Sequence, residues 1–284
     1  MVLEYYRLTK PGIIRANVLT ACAAFLYASR GDIDTTILIA TIVGTSLLVA
    51  CGCILNNIMD VELDKKMKRT QNRALVTGKI TFDSARRFAW ILGLAGLLTL
   101  LIFTNALTMA IGALAVYAYV VVYGWAKRRT NYATEIGTLP GAASIVAGYT
   151  AVTGSFTLAC FCLFLIMVTW QVAHFLAITL YRSNDYRAAK ISVLPLRIGT
   201  EATQRRIMLY ILFYIFSLIT FSILGNVSLS LMFVVIGTGM YWLYRSLYEY
   251  QQRPSDKWGR RVFFNSLLIL LIFCVMISID VWLP

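Results

Sequence analysis

Nine stretches of this chain are apolar enough, over enough residues, to cross a bilayer as helices, and that property excludes most folds at once. A spanning helix needs about 20 largely apolar residues. Inside lipid a backbone amide must find its partner within a helix or a closed barrel, because no water is there to replace it. The runs lie at 14–28, 35–57, 88–104, 106–124, 133–152, 158–180, 207–225, 228–247 and 262–282. The composition agrees: 59% of residues are hydrophobic and 14% charged, against about 45–50% and about 25% in soluble domains. The expected fold is all-α, a polytopic membrane bundle of nine transmembrane helices forming a single domain over 1–284.

Charge orients this bundle. With the N-terminus in the cytoplasm, the inner segments are 1–13, 58–87, 125–132, 181–206 and 248–261. These segments, with Arg15 and Arg245 at span ends on the same side, hold every Lys and Arg except Arg30. Such a split is what the positive-inside rule predicts. The net charge of +13 therefore reads first as topology, and it favours anionic lipid and anionic substrates at that face. Because the cations flank spans, no nucleic-acid partner is expected. The outer loops (Ser29–Asp34, Asn105, Thr153–Thr157 and Gly225–Val227) are short. Function should concentrate on the longer inner loops, which have chain enough to build a site.

Three features read as structural. Cys22, Cys51, Cys53, Cys160, Cys162 and Cys274 all fall within spans, where cysteine usually packs as a small apolar residue. The N-terminus looks like a signal peptide, with a few cations before an apolar stretch, but the charge arithmetic favours an uncleaved first span. A faint repeat relates the loops after spans two and six. In each a hydrophobic stretch follows eleven residues past an acid, from Asp64 to Leu75 and from Asp185 to Leu196, as if two half-sites faced each other across the bundle.

The chemistry gathers where span two ends. Asn56, Asp60 and Asp64 succeed one another at four-residue steps, so a continuous helix would project all three from one side. Lys65, Lys66, Lys68 and Arg69 follow at once. Two carboxylates and an amide oxygen suit Mg²⁺, which takes few protein ligands and completes its shell with water and substrate phosphate oxygens. Arg69 and Arg73 would grip the same phosphates bidentately. Glu62 is out of phase with the acids. The alternative is a solvated loop whose charges neutralise one another and lipid headgroups.

The second inner loop offers Tyr181 and Asp185, again four apart, as one carboxylate and a phenol; Asp185 has the alternative of pairing with Arg182 or Arg187. Lys127-Arg128-Arg129 ends span four as a topology anchor or as a further phosphate clamp. His174 is the single histidine. An ionisable group inside a membrane helix is a site candidate, and Gln171 shares its face. A neutral imidazole bonded to a neighbouring helix is the plainer reading. Some of the many aromatic rings would line a cavity able to stabilise a carbocation, although their spacing does not say which.

Several motifs together resemble the UbiA-type intramembrane prenyltransferase superfamily over most of the chain. Leu8-Thr9-Lys10-Pro11-Gly12 and Asn17 resemble its opening. The run from Asn56-Asn57 through Asp60, Asp64, Met67, Arg69-Thr70 and Arg73 to Leu75 resembles its first signature. Lys127-Arg128-Arg129-Thr130, Gly141-Ala142 and Gly148-Tyr149 resemble the region around its fifth helix. Trp170-Gln171, His174-Phe175, Asp185-Tyr186, Ala189 and Leu194-Pro195 are similar to the second signature of its haem-modifying branch. Ala74, Ser144 and Ala173 depart from it, standing where relatives often carry proline.

The resemblance implies transfer of a farnesyl group from farnesyl diphosphate to a vinyl group of haem B, with Mg²⁺ as cofactor. The site would face the cytoplasm from a bacterial inner membrane, and the inner loops would cap a central cavity. Asn56, Asp60, Asp64 and Asp185 would hold the metal and act in catalysis. Arg69, Arg73, Lys127 and Arg128 would bind diphosphate, with Tyr181 and Tyr186 in support. His174 and Gln171 would meet the haem. Contact with a haem-receiving oxidase or a haem A synthase-like protein is a further expectation. The competing readings are prenyl transfer to an aromatic acceptor such as a quinone precursor, a transporter, and a non-catalytic haem-binding assembly factor. The clustering of acids at one face and the scarcity of deep charges favour an enzyme over a transporter.

Overall fold

The apolar runs fold as helices, and among the described residues there is no strand. The computed structural model describes residues 1–130, 132–188, 193–250, 252 and 254–284; Ala189 of the second signature lies outside them. Two compact units divide the chain, Met1–Ser155 and Phe156–Pro284.

In the first unit α1 (Val2–Leu8) leads into α2 (Pro11–Ser29), α3 (Thr35–Met59) and a single turn, α4 (Val61–Asp64). A loop then reaches α5 (Phe82–Phe103). After it come α6 (Ala106–Tyr117), a π-turn (Ala118–Val122), α7 (Tyr123–Arg129), α8 (Ala133–Gly141) and α9 (Ala143–Thr153). The second unit holds α10 (Leu158–Tyr181), the short α11 (Ser183–Ala188) and α12 (Leu194–Ile198), then α13 (Thr200–Leu224), α14 (Leu229–Tyr248), α15 (Ser255–Ile279) and a 3₁₀ turn at Asp280–Trp282.

Among the described residues, seven helices are long and apolar enough to cross a membrane: α2, α3, α5, the continuous Ala106–Arg129, α10, α13 and α15 with its terminal turn. The other two expected spans differ for local reasons. Run 133–152 is broken at Ala142 into α8 and α9, just after Pro140, whose ring and missing N–H disturb a helix interior. Run 228–247 is one helix, α14, but its last turns carry Tyr241, Trp242, Tyr244 and Arg245. The helices α5, α13 and α15 also start several residues before their apolar runs. Their first turns carry Arg86, Arg87, Arg205, Arg206, Lys257, Arg260 and Arg261. A hydrophobic run marks only the part of a helix that lies in lipid; the helix itself continues into the polar interface.

Helices in lipid gain little by hiding apolar surface from one another, so close packing must hold them. Small residues permit it here. A Cβ at Gly148 on α9 would sit 2.0 Å from the Ala21 carbonyl oxygen of α2, and one at Gly96 on α5 would be 3.0 Å from the Gly44 carbonyl oxygen of α3. Five of the cysteines are buried and Cys22 is partly so, all as free thiols, which agrees with a packing role. Between α4 and α5, the loop is anchored by Ala74, Leu75 and Ile80, which pack against Leu8, Cys51, Ile54 and Val61. This core fixes the loop over the end of α3.

Candidate active site

Helix α3 ends at Met59 because Asp60 leaves helical geometry (φ −97°, ψ 4°). The expected continuous helix is therefore bent at the first acid. The phase of the three residues nevertheless survives. The Asp60 amide donates to the Asn56 carbonyl at 3.0 Å and the Asp64 amide to the Asp60 carbonyl at 2.8 Å, so each residue still lies one hydrogen-bonded turn beyond the last.

Each side chain has a fixed partner. Arg73 Nη1 donates to Asp64 Oδ2 at 2.6 Å and to Asn57 Oδ1 at 3.2 Å. Asn57 in turn donates to the Leu8 carbonyl at 3.0 Å, tying α1 to α3. Thr70 Oγ1 donates to the Asp64 carbonyl at 2.9 Å and closes the loop beneath. The Lys127 ammonium donates to the Asp60 carboxylate, while Arg128 donates to the Met59 carbonyl at 2.8 Å. That last bond satisfies a carbonyl at the C-terminus of α3 with a cation, as the helix dipole favours.

Lys10 completes the group, and spacing gave no sign of it beyond its place before Pro11. Its Nζ donates to Asn56 Oδ1 at 3.3 Å, and its backbone is left-handed (φ 55°, ψ 67°). A non-glycine residue in that region is uncommon and is often held there for a function. Burial pushes the Lys10 ammonium below its ordinary pKa of 10.5, and the nearby Arg73 adds to the effect, while Cys53, Asp60 and Asp64 oppose it. Asn56 is buried, and its Nδ2 has no hydrogen-bond partner among the described residues.

An aromatic wall stands beside these charges. The rings of Tyr119 and Tyr123 stack at 5.7 Å and 5°, and Lys127 Nζ lies 5.4 Å from the Tyr123 centroid. Glycines make the room: a Cβ at Gly52 would come 3.1 Å from the Tyr119 ring and one at Gly137 2.8 Å from Tyr123. The π-turn at Ala118–Val122 lies directly before Tyr123. Such a turn adds a residue to the helical register and so sets the phase at which α7 presents Lys127.

Of the residues singled out in the sequence, the structure brings Asn56, Asp60, Asp64, Arg73 and Lys127 into one bonded cluster. Arg69 is exposed and makes none of these bonds, and Arg128 binds backbone. Glu62 pairs outside the cluster with Lys65 at 2.6 Å. Oxygen donors on successive turns, all able to face one ligand, fit a hard divalent cation. The described residues hold no group of three or more His, Cys, Asp or Glu with metal-binding geometry.

In the second unit, Tyr181 and Asp185 do not share a helical face. Helix α10 stops at Tyr181, Arg182 turns out of helical geometry (φ −110°, ψ 20°), and the Asp185 amide bonds to the Arg182 carbonyl. Tyr181 lies beneath two guanidinium groups, Arg182 at 5.5 Å and Arg260 at 5.8 Å from its centroid. Asp185 is exposed and Tyr186 partly buried. Arg187 bonds to Asn184 at 3.0 Å, and Asp185 makes no ion pair among the described residues.

His174 makes the neighbouring-helix bond expected of a neutral imidazole, Nδ1 to Ser266 Oγ of α15 at 2.7 Å. It stacks on Trp170 at 4.7 Å and lies 4.9 Å from Phe263. The Ser266 hydroxyl is also 2.6 Å from the Phe263 carbonyl oxygen. The Ser266 hydroxyl therefore stands between the imidazole and the Phe263 carbonyl, and the His174 tautomer decides which way the imidazole bond runs. Gln171 is buried one turn away, and its Oε1 has no hydrogen-bond partner among the described residues.

A model of the UbiA prenyltransferase family matches residues 17–268. The protoheme IX farnesyltransferase of Pseudomonas savastanoi pv. phaseolicola is 40% identical over 278 residues, covering 98% of this chain and 94% of its own length. That of Yersinia pseudotuberculosis is 39% identical over 281 residues, covering 99% and 95%. A solved structure of a digeranylgeranylglyceryl phosphate synthase has a TM-score of 0.81 at 17% identity, over 99% of this chain and 98% of that one. A UbiA homolog from Archaeoglobus fulgidus bound to GPP and Mg²⁺ gives 0.71 at 12% identity, over 97% and 99%. At such low identity these two structures establish the fold alone. With its membrane helices, the family model spanning most of its length and full-length relatives near 40% identity, the chain belongs to the UbiA prenyltransferase family.

Proposed function

We propose that the protein transfers the farnesyl group of farnesyl diphosphate to a vinyl group of haem B, giving haem O for a terminal oxidase. The observation that carries the reaction class is the cluster at the end of α3, where Asp60 and Asp64 are each held by a cation, Lys127 and Arg73. The acceptor rests on the relatives named protoheme IX farnesyltransferase. Asp60, Asp64 and the amide oxygen of Asn56 would hold Mg²⁺, with Asp185 a further carboxylate of the same reaction. When bound, the metal supplies charge that neutralises the departing diphosphate. Support for its use comes from the archaeal homolog with GPP and Mg²⁺.

The chain's own groups have definite work. Lys127, Arg73 and Lys10 against two carboxylates leave the cluster with one net positive charge. Released from the acids and the Asn56 oxygen, these cations meet diphosphate oxygens as the allylic C–O bond breaks. The stacked Tyr119 and Tyr123 rings face the developing carbocation through their π-clouds. The vinyl group of the acceptor forms the new C–C bond, and water adds a hydroxyl with loss of a proton. Nine crossings from a cytoplasmic N-terminus, one domain over 1–284, a cavity capped by charged inner loops and a bacterial inner-membrane location belong to the same proposal. They rest on the distribution of Lys and Arg.

His174 is proposed to meet the haem as a ligand to its iron. Purified protein offered farnesyl diphosphate, Mg²⁺ and either haem B or a quinone precursor should release pyrophosphate and a prenylated product with haem alone. Prenylation of the quinone precursor only would replace the acceptor. Substrate uptake into proteoliposomes with no product would point to a transporter, and haem binding without pyrophosphate release to an assembly factor. His174→Ala should change the absorption spectrum of bound haem and weaken its binding; an unchanged spectrum and affinity would remove His174 as a ligand.

A further inference from the structure

We infer that the second unit carries a built site for an anionic phospholipid headgroup, at the end of α14 and the start of α15. Arg245, Lys257, Arg260, Arg261, Phe264 and Asn265 line a cleft of about 420 Å³. The site is organised from beneath. Glu249, with only 5% of its side chain exposed, accepts from Arg261 at 2.8 Å and from Arg245. One buried carboxylate thus fixes two guanidinium groups that line the cleft. Arg260 is steadied over the Phe264 ring at 5.7 Å and the Tyr181 ring at 5.8 Å. Among the described residues, four cations line the cleft above the one buried carboxylate, a positive excess that calls for a phosphate.

Helical phase decides between a lipid and the haem propionates. Lys257, Arg261, Phe264, Leu268, Leu271 and Val275 recur at steps of three and four, so they form one stripe of α15. Ser266, which holds His174, lies on the opposite side of that helix. The cleft therefore does not open onto the proposed haem ligand. Below the cations the stripe is apolar and exposed: Phe264 51%, Leu268 54%, Leu271 48% and Val275 47%. From Phe264 to Val275 it runs about 16 Å along the helix, close to the depth of one leaflet's hydrocarbon, about 15 Å. A phosphate among the cations with acyl chains along this stripe matches a glycerophospholipid; a free phosphate would leave the stripe unused.

Native mass spectrometry of the whole protein, released from phosphatidylcholine nanodiscs containing a minor fraction of phosphatidylglycerol, tests this. The wild type should retain phosphatidylglycerol selectively. Lys257→Gln with Arg260→Gln removes two cations but leaves the Glu249 pairs intact, and should weaken that retention about 30-fold, at about fivefold per cation. The charge-conserving pair Lys257→Arg with Arg260→Lys should retain it. Arg86→Gln with Arg87→Gln, exposed cations of the first unit, should have little effect. The site is refuted if the first pair keeps wild-type selectivity, if the Arg86 and Arg87 variant loses it equally, or if inorganic pyrophosphate displaces the lipid from the cleft.

Discussion

Asp64→Asn and Asp60→Asn should each lower farnesyl transfer by about 10²–10³-fold, a loss typical of removing a main charge-stabilising group from a preorganised site. Asparagine keeps the volume and one acceptor oxygen. Arg73 can still donate to residue 64, Thr70 still binds the main-chain carbonyl there, and Lys127 can still reach residue 60. The fold should therefore persist, with an unchanged chromatographic profile. What disappears is the negative charge that would draw the proposed divalent cation into a cluster already crowded with Lys10, Arg73 and Lys127. Excess Mg²⁺ should recover part of the activity of the single variants and none of the double variant's. Glu62→Gln, in an exposed pair with Lys65, should retain wild-type turnover. Wild-type kcat/KM in folded Asp60→Asn or Asp64→Asn would remove these acids from the reaction.

Lys127→Met should produce an effect of two signs. The ammonium now occupies the Asp60 carboxylate, and both groups are largely buried, at 14% and 15% exposed. A metal ligating Asp60 must displace it, after which it is free to meet the diphosphate. Removing Lys127 should lower kcat by about 10²–10³-fold and raise KM for farnesyl diphosphate. The same change removes a competitor, so half-maximal activity should need less Mg²⁺, not more. A merely structural lysine would not move these quantities in opposite directions. Lys127→Arg should restore part of kcat. Unchanged turnover, or a raised Mg²⁺ requirement alongside reduced turnover, would contradict the exchange of partners.

The contrast between Asp64 and Lys127 shows where sequence is informative. Asn56, Asp60 and Asp64 were legible because hydrogen bonds between residues four apart preserve their phase even through the bend at Asp60. Lys127 was visible as a cation, but its pairing with Asp60 depends on the π-turn before Tyr123, and apolar periodicity does not reveal an added residue. Lys10 joins through a left-handed backbone that propensity disfavours. Arg69 and Arg73 looked equivalent; the turns of the loop, fixed by Ala74 and Leu75 in the core, deliver one to Asp64 and expose the other. The same four-residue argument failed for Tyr181 and Asp185, because the chain leaves the helix at Arg182. Apolar runs located helices well but missed the charged first turns of α5, α13 and α15, and they gave no sign that 133–152 would break at Ala142.

Calorimetric titration with a non-reactive thiolo analogue of farnesyl diphosphate tests the proposed magnesium–diphosphate site at the end of α3 without requiring turnover or haem. The wild type should bind the analogue tightly with Mg²⁺ and weakly with chelator, and the Asp60→Asn/Asp64→Asn double variant should bind weakly in both. Equal, tight, metal-independent binding in the wild type and the double variant would contradict the claim.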